Sequence, residues 1–231
     1  MKKVFRYELH CHTSEGSGCS QMPAKAAVDF YLEQGYDGIV VSDHFTGKTT
    51  VPKDYAWEDR IHYFYENGFS IAKRYGDERG LKVFFAPEWS SAGNDFLLMG
   101  LDKDWWLKQT DFFTLTPNQV FDRVHEGGGF VVHAHPFAEA PWIPCIRLFP
   151  RKEDAVEIYN GGMSEFGNRM AYEYAKAYGL PMTGGSDTHN VEHKNLCGIE
   201  TERECFCIED IIDVIRKREA KPFCRTQNFL A

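Results

Sequence analysis

The feature that most constrains the fold is the alternation of short apolar runs with longer amphipathic stretches along the whole chain. Seven short runs predict strands, at Val4–Leu9, Gly38–Val41, Lys82–Ala86, Phe96–Met99, Phe130–His133, Ala155–Tyr159 and Pro181–Thr183. The stretches between them predict helices, at Pro23–Gln34, Glu58–Tyr75, Thr116–Glu126, Glu165–Tyr178 and Ile208–Arg218. Gly68 weakens the helical pattern in which it lies. Because strands and helices alternate, we expect an α/β fold with a parallel sheet or barrel, as one domain over residues 1–231.

Histidine and carboxylate side chains occur at the ends of most predicted strands. They are His10, His12, His44, Glu88, His133, His135, Asp187 and His189. The carboxyl ends of parallel barrel strands point to one face, where active sites are built, so these residues should converge. Imidazole and carboxylate ligands together suit Zn²⁺, Mn²⁺ or Fe²⁺. A lone H-x-H pair is more often ordinary polar structure, but convergence from five strand ends favours a metal site.

The period of a β-strand predicts which of these side chains share a face. Successive side chains alternate, so His10 and His12 should point together while Cys11 points away. The same alternation predicts that His133 and His135 share a face. A carboxylate such as Glu88 can bridge two metal ions about 3.5–4 Å apart.

Composition limits the partners and the compartment. The net charge is −8 and no run of Lys or Arg resembles a nucleic-acid footprint, so we expect no long duplex nucleic acid as a partner. No apolar run approaches about 18 residues, so we expect no membrane partner. The seven cysteines are odd in number and no signal peptide opens the chain, which favours reduced thiols and a cytoplasmic protein.

Taken together, these motifs resemble the PHP (polymerase and histidinol phosphatase) family over nearly the whole chain. The matching segments, in order, are ELHCHTSE, GYDGIVVSDH, FFAPEWS, GGGFVVHAHPF, AVEIYNGG and GLPMTGGSDTH. The resemblance implies a distorted (β/α)7 TIM-like barrel with a metal cluster at the C-terminal ends of its strands. Members of the family include histidinol phosphatases, nucleotide phosphoesterases, exonucleases and polymerase-associated domains.

The resemblance also implies three metal positions. Their ligands would be His10, His12 and Asp187 at the first, Glu88 as a bridge to the second, His135 at the second, and His44 and His189 at the third. Two positions depart from the family pattern. Glu15 is the only plausible replacement for the His or Asp that often completes the third site, and Asp95 stands where a His usually completes the second. Replacing an imidazole ligand by a carboxylate shifts the preference of a metal site towards harder ions. His133 is usually apolar in the family, and both a ligand role and a supporting role are open for it.

The function implied by the resemblance is that of a metal-dependent hydrolase acting on phosphate ester bonds. With two or three divalent ions (Zn, Mn or Fe), metal-activated water would hydrolyse a small phosphomonoester or nucleotide, and Glu88, Asp187 and His189 would be catalytic. Alternatives are a single-strand nuclease that uses the same metals, a non-catalytic metal-binding regulatory domain and, more weakly, hydrolysis of a C–N bond on a similar barrel.

Substrate contacts are expected from the proline- and aromatic-rich segment 136–151. Phosphate recognition usually requires Arg or Lys near the metals, and Arg147 is the first candidate to bind substrate. Arg151 and Lys48 are weaker candidates. Trp142 could stack on a base or sugar, or simply pack.

Overall fold

A computed structural model describes residues 3–141 and 143–230, so Trp142, the candidate for base stacking, lies outside the described residues. The strands are β1 (Phe5–Cys11), β2 (Gly38–Val41), β3 (Lys82–Phe85), β4 (Glu88–Ser91), β5 (Asn94–Met99), β6 (Phe130–Ala134), β7 (Ala155–Asn160), β8 (Met182–Gly185), β9 (Cys197–Thr201) and β10 (Lys221–Cys224). The α-helices are α1 (Ala24–Glu33), α2 (Trp57–Phe64), α3 (Ser70–Arg79), α4 (Lys103–Leu107), α5 (Pro117–Glu126), α6 (Glu165–Tyr178) and α7 (Ile208–Arg216). A π-helix, Tyr65–Phe69, separates α2 from α3, and a short 3-10 helix occupies Phe112–Thr114.

The strands form two mixed five-stranded sheets. The first has the order β10-β9-β1-β2-β3 and the second the order β4-β5-β6-β7-β8. Within them β1, β2 and β3 run parallel, as do β6, β7 and β8. The remaining neighbours are antiparallel, and a two-residue turn at Ala92 and Gly93 makes β4 and β5 a hairpin. The α/β prediction is therefore confirmed.

The predicted distorted (β/α)7 TIM-like barrel is not confirmed. The described strands form two ladders rather than one ring, and the two sheets meet through isolated bridges, Cys11 to Thr188 and His44 to Glu88. Both bridges lie at strand ends that carry predicted metal ligands. The two sheets therefore approach each other at the candidate site.

Both sheets contribute to a common core. One apolar cluster combines Leu9 and Val40 of the first sheet with Leu97 and Val132 of the second, and α7 packs against them. Helices α1 and α3 cover the other face of the first sheet, while α5 covers that of the second. This burial on both faces explains why the parallel strands are nearly continuous apolar runs. No helix in the described part of the chain is long and apolar enough to cross a membrane.

The segment predicted as one helix, Glu58–Tyr75, is interrupted in the structure. The π-helix Tyr65–Phe69 lies in its middle and contains Gly68. A Cβ at Gly68 would overlap the carboxylate of Asp43 and lie 2.7 Å from Oγ1 of Thr13. Glycine at this position thus lets the helix approach the loops that follow β1 and β2.

Candidate metal centre

The predicted ligands other than Glu15 converge in one cluster. Their ligand atoms form four overlapping groups, in each of which the atoms lie within 4.8 Å of one another. The groups are His10, His12 and Glu88; His10, His135 and Asp187; Glu88, Asp95 and His135; and His12, His44 and His189. The cluster therefore contains residues from all three positions that the family resemblance implies.

Glu88 lies at the centre of the cluster. Its Oε1 is 3.2 Å from Nε2 of His10 and 3.3 Å from Nε2 of His135. Its Oε2 is 2.6 Å from Nδ1 of His44 and 3.6 Å from Nε2 of His12. Because each oxygen faces a different pair of imidazoles, this carboxylate is placed to bridge metal ions.

Asp187 joins the cluster from the opposite side. Its Oδ1 is 3.2 Å from Nε2 of His12 and 3.6 Å from Nε2 of His10, and its Oδ2 is 3.9 Å from Nε2 of His135. Burial raises the pKa of Asp187, but the charge of His10 and the hydrogen bond from His12 outweigh burial and hold the pKa well below its usual range. Asp187 is therefore an ionised ligand candidate.

Irregular backbone aims several of these side chains. The register between β1 and β2 shifts between Glu8 and Cys11, which inserts an extra residue into β1. Leu9 packs in the common core while Cys11 packs on the outer face against α1, and His10 lies between them. A bulge of this kind redirects side chains and is frequent next to active sites.

His135 and Asp187 have positive φ angles of 30° and 54°. Such angles are uncommon for residues with a Cβ and cost about 1–3 kcal/mol, so they persist only where the surroundings enforce them. Both occur just after a strand, β6 and β8 respectively. Each turn directs into the cluster a side chain that a regular strand would point elsewhere.

The prediction that His133 and His135 share a face is wrong, because the left-handed turn at His135 breaks the alternation of the strand. His133 is fully buried, stacks on Phe96 at 4.5 Å and contacts Glu153 through Nδ1 at 2.7 Å. The His133 side chain packs among the apolar side chains beneath α5. The left-handed turn at His135 points the His135 side chain the opposite way, into the ligand cluster. His133 is in none of the groups that could hold a metal ion.

Buried acidic residues orient the histidines from outside the cluster. Oε1 of Glu157 lies 3.1 Å from Nδ1 of His10, and its Oε2 accepts the backbone N–H of His135 at 3.1 Å. Glu8 accepts the backbone N–H groups of His10 and Ser186. A carboxylate on one ring nitrogen fixes the imidazole so that the other nitrogen faces the metal.

Asp43 anchors the loop between His12 and His44. It accepts the N–H and the hydroxyl of Thr13, both at 2.7 Å, and the hydroxyl of Ser17 at 2.8 Å. The Ser17 oxygen then lies 3.0 Å from Nδ1 of His12 and accepts the backbone N–H of His44 at 2.9 Å. His12 is thus held with Nε2 towards the cluster. Burial raises the pKa of Asp43 to about 6.

The donor set fits divalent cations. Burial lowers the pKa of His12 to about 3, so this imidazole is neutral and able to coordinate. Within the described residues, Nε2 of His44 is buried without a hydrogen-bond partner, and Nδ1 of His44 and Oε2 of Glu88, although 2.6 Å apart, do not have the geometry of a hydrogen bond. Buried polar atoms are normally paired, and a bound cation would satisfy these three.

Glu15 does not reach the cluster. Its Oε2 accepts the N–H of Ala24, the first residue of α1, at 2.9 Å and the hydroxyl of Ser14 at 3.2 Å. The first N–H groups of a helix lack partners within it, and a carboxylate there is favoured by the helix dipole. The structure therefore gives Glu15 the position of a helix cap rather than that of the predicted ligand.

The sequence reasoning missed Cys19, as it missed the supporting carboxylates Glu8, Asp43 and Glu157. The Cys19 thiol interacts with both His189 and His44. Burial raises the pKa of this thiol, but those two interactions outweigh burial and lower it to about 6. The only signal in the sequence was its position in the loop after H-x-H, and the prediction treated it as an ordinary reduced cysteine.

The basic residues proposed for the substrate are not in the cluster. Arg147, Arg151 and Lys48 are exposed, and no described contact joins any of them to the ligands. Ile143 of the same long loop packs against Gly93 in the turn before Asp95. The loop thus borders the second metal position without supplying a phosphate-binding cation among its described contacts.

Comparisons with known proteins support the family suggested by the motifs. A family model described as PHP-associated (PHP_C) matches residues 166–220. No curated protein matches the chain in sequence. A two-domain protein from Bacteroides vulgatus, described as containing a predicted PHP-like metal-dependent phosphoesterase, is similar with a TM-score of 0.72 and 14% identity over 96% of this chain. The chain spans 65% of that protein's length. The resemblance to PHP proteins is thereby confirmed.

Endonuclease Q shares the fold as well. The lesion-specific enzyme from Pyrococcus furiosus is similar with a TM-score of 0.63 and 15% identity, over 95% of this chain and 58% of its own. Another endonuclease Q structure, similar with a TM-score of 0.60 and 15% identity over 93% of this chain and 57% of its own, holds a 27-mer duplex with an abasic lesion at the active site. The prediction that excluded long duplex nucleic acid is therefore wrong, because net charge does not decide whether this fold binds a duplex.

Proposed function

We propose that this protein is a metal-dependent hydrolase that cleaves phosphate ester bonds. The observation that carries the proposal is the convergence of Glu88, Asp187 and five histidines from separate strand ends into one buried cluster. The PHP-associated match and the description of the Bacteroides vulgatus neighbour support the phosphate ester as the bond cleaved. The proposed cofactors are two or three divalent ions of zinc, manganese or iron.

We propose the ligand assignment that the resemblance implies, which the close approach of the same atoms supports. The first would be held by His10, His12 and Asp187, the second by Asp95 and His135, and Glu88 would bridge them. His44 and His189 would hold the third. Divalent ions held this way supply a polarised phosphoryl oxygen and a water of lowered pKa.

The exposure of the ligands indicates where the substrate would approach. The side chains of His10, His12 and Glu88 expose 1% or less of their surface, whereas those of His189, Asp95 and Asp187 expose 29%, 23% and 14%. The substrate would therefore meet the edge formed by the latter three. This geometry supports catalytic roles for Asp187 and His189 at the edge and a holding role for Glu88 beneath them.

The finer proposal for the substrate is a small phosphomonoester or nucleotide. The long loop that borders Asp95 through Ile143 would select among substrates at the exposed edge. Cleavage of a nucleic acid is the second candidate, favoured by the endonuclease Q structure with a duplex at its active site.

The test is hydrolysis by the purified protein, first stripped of metal and then supplied with Mn²⁺ or Zn²⁺, and it is followed as released phosphate for the monoesters and as shortened products for the oligonucleotides and the duplex. The panel holds phosphomonoesters, nucleotides, single-stranded oligonucleotides and a duplex with an abasic site. Asp187→Ala is the inactive variant, and Asp54→Ala, which removes an exposed carboxylate outside the cluster, is the matched control.

We expect metal-dependent hydrolysis in the wild type and in Asp54→Ala, and none in Asp187→Ala. Hydrolysis that needs no metal, or that survives in Asp187→Ala, would overturn the proposal. Metal binding without hydrolysis of any compound would favour the non-catalytic alternative instead.

A further inference from the structure

We propose that Cys197 and Cys224 form a reversible disulfide when hydrogen peroxide oxidises the protein. The two cysteines lie on adjacent strands, β9 and β10, and both are free thiols in the structure. Among the described residues, neither cysteine belongs to a group of side chains that could hold a metal ion. The modification is therefore separate from the metal centre and from hydrolysis.

The two cysteines are direct partners in the antiparallel ladder of β9 and β10. The next pair along the ladder is hydrogen-bonded, since the N–H of Arg225 donates to the carbonyl oxygen of Leu196 at 2.9 Å. Such pairs alternate with pairs that exchange no backbone hydrogen bond, so Cys197 and Cys224 form a pair of the second kind. The backbone of Cys197 agrees with this, because its N–H donates to Oγ of Ser186 at 2.9 Å rather than to β10.

A pair of this kind brings two cysteines within reach of a disulfide. Its Cα atoms are about 4.5 Å apart, and both side chains project from the same face of the sheet. Disulfides join Cα atoms that are about 4.4–6.8 Å apart. The side chains of Cys197 and Cys224 also pack in one apolar cluster, together with Tyr159 of β7. Formation of the bond therefore needs rotation of the two side chains and at most a small shift of the strands.

The two thiols differ in exposure, and this sets the order in which they react. Cys197 is fully buried, whereas Cys224 is partly exposed on the edge strand of the first sheet. The sulfur of Cys224 lies 3.4 Å from Oγ1 of Thr226. Hydrogen bonds from the Cys197 thiol and the Thr226 hydroxyl outweigh burial and lower the pKa of Cys224, which favours its thiolate, the reactive form. Peroxide would therefore oxidise Cys224 first.

Oxidation of the pair takes two steps. The Cys224 thiolate attacks one oxygen of the peroxide, so that an S–O bond forms and the O–O bond breaks, and the hydroxide that leaves takes up the proton lost by the thiol. The sulfur of Cys197 then attacks the sulfur of this sulfenic acid, an S–S bond replaces the S–O bond, and the second hydroxide takes the Cys197 proton. Two thiols are oxidised to one disulfide while one peroxide is reduced to two waters. Because Cys197 captures the sulfenic acid before further oxidation, thiols can reverse the modification.

The test is treatment of the folded protein with hydrogen peroxide, followed by alkylation of free thiols and digestion with trypsin in the absence of reductant. Trypsin cleavage places the two cysteines in separate peptides, 195–203 and 219–225, each of which contains one cysteine. Mass spectrometry then detects the disulfide as joined peptides, which dithiothreitol should separate. The variants are Cys197→Ser, Cys224→Ser and, as a matched control, Cys145→Ser, which removes an exposed thiol of the long loop. Circular dichroism checks that each variant is folded.

We expect the joined peptides in the wild type and in Cys145→Ser, and their loss in the other two variants. In Cys197→Ser the sulfenic acid at Cys224 should persist, so that dimedone traps it and more peroxide converts it to the irreversible sulfinic acid. In Cys224→Ser the buried Cys197 should stay reduced. A folded wild type that gives no joined peptides, or gives them only in denaturant, would overturn the inference. Sulfenic acid at Cys197 in folded Cys224→Ser would overturn the assignment of Cys224 as the thiol that peroxide attacks.

Discussion

Replacing Gly68 by alanine would test whether the π-helix needs a glycine in order to pack against the loops of the metal centre. On helix propensity alone the change should stabilise the protein by about 1 kcal/mol, because glycine is the poorer helix former. In the structure the new Cβ would overlap the carboxylate of Asp43 and lie 2.7 Å from Oγ1 of Thr13. The Asp43 carboxylate and the Thr13 hydroxyl are buried and hydrogen-bonded to each other, so neither can move without breaking that hydrogen bond.

The size of the effect follows from these contacts. Overpacking a buried site costs about 1–3 kcal/mol. Displacing the Asp43 carboxylate would also weaken its bonds from Thr13 or Ser17, and one lost bond to a charged group costs about 1.5–3 kcal/mol. After subtraction of the gain of about 1 kcal/mol in helix propensity, we expect a net loss of about 2–5 kcal/mol. For a chain of this length that corresponds to a fall in Tm of about 4–20 °C.

The measurement is urea and thermal unfolding of the metal-free protein, so that a change in metal affinity does not contribute. Gly167→Ala is the matched control, because a Cβ at this glycine of α6 would meet nothing closer than 3.5 Å. It should leave the free energy of unfolding unchanged or slightly higher. A Gly68→Ala protein as stable as the wild type would refute the reasoning.

Three further predictions concern the centre and its surroundings. Asp187→Ala should lose bound metal, counted by elemental analysis, while its circular dichroism stays that of the wild type; retention of all metal would contradict the assigned ligands. Cys11→Ser should keep metal content and hydrolysis, because Cys11 packs on the outer face against α1; metal loss in this variant would count against that orientation. Burial raises the pKa of Glu8 to about 7, above its value of about 4.3 in an unfolded chain. The folded state therefore favours protonated Glu8, and this contribution to stability, on the order of 3 kcal/mol, is full below about pH 4 and is lost as the pH rises through 7. Glu8→Gln should flatten the fall of the unfolding free energy between pH 5 and 8 in urea titrations, and an unchanged slope would argue against the shift.

Much of the fold could be predicted because its parallel strands and helices have regular periods. Gly38–Val41 and Glu165–Tyr178 have the bounds that their sequences indicate. The strands β4, β9 and β10 were not predicted. Three of the four residues of Glu88–Ser91 are polar, and Lys221–Cys224 contains a proline, which weakens a strand pattern. Their pairing is decided by distant partners rather than by local sequence.

The site could be predicted at the level of residue types but not of backbone geometry. Histidines and carboxylates at strand ends were sufficient to identify the residues that converge. The roles of His133 and Glu15 could not be read in this way, because one depends on the left-handed turn at His135 and the other on the start of α1. The position of Cys19 depends likewise on hydrogen bonds to a segment about 170 residues later in the chain. Such long-range geometry leaves no periodic pattern in the sequence.

The cluster lies across the junction of the two sheets, and this has a consequence for folding. His10, His12 and His44 come from the first sheet, whereas Glu88, Asp95 and His135 come from the second. The second position draws its ligands from the second sheet alone, but the first and third positions combine residues of both sheets, so ion binding there requires both sheets to be formed and docked. An ion would then act as a cross-link, stabilising the assembled chain by about 2.7 kcal/mol at a free concentration one hundred times its Kd. Metal supply would thus set what fraction of the chains is docked at equilibrium.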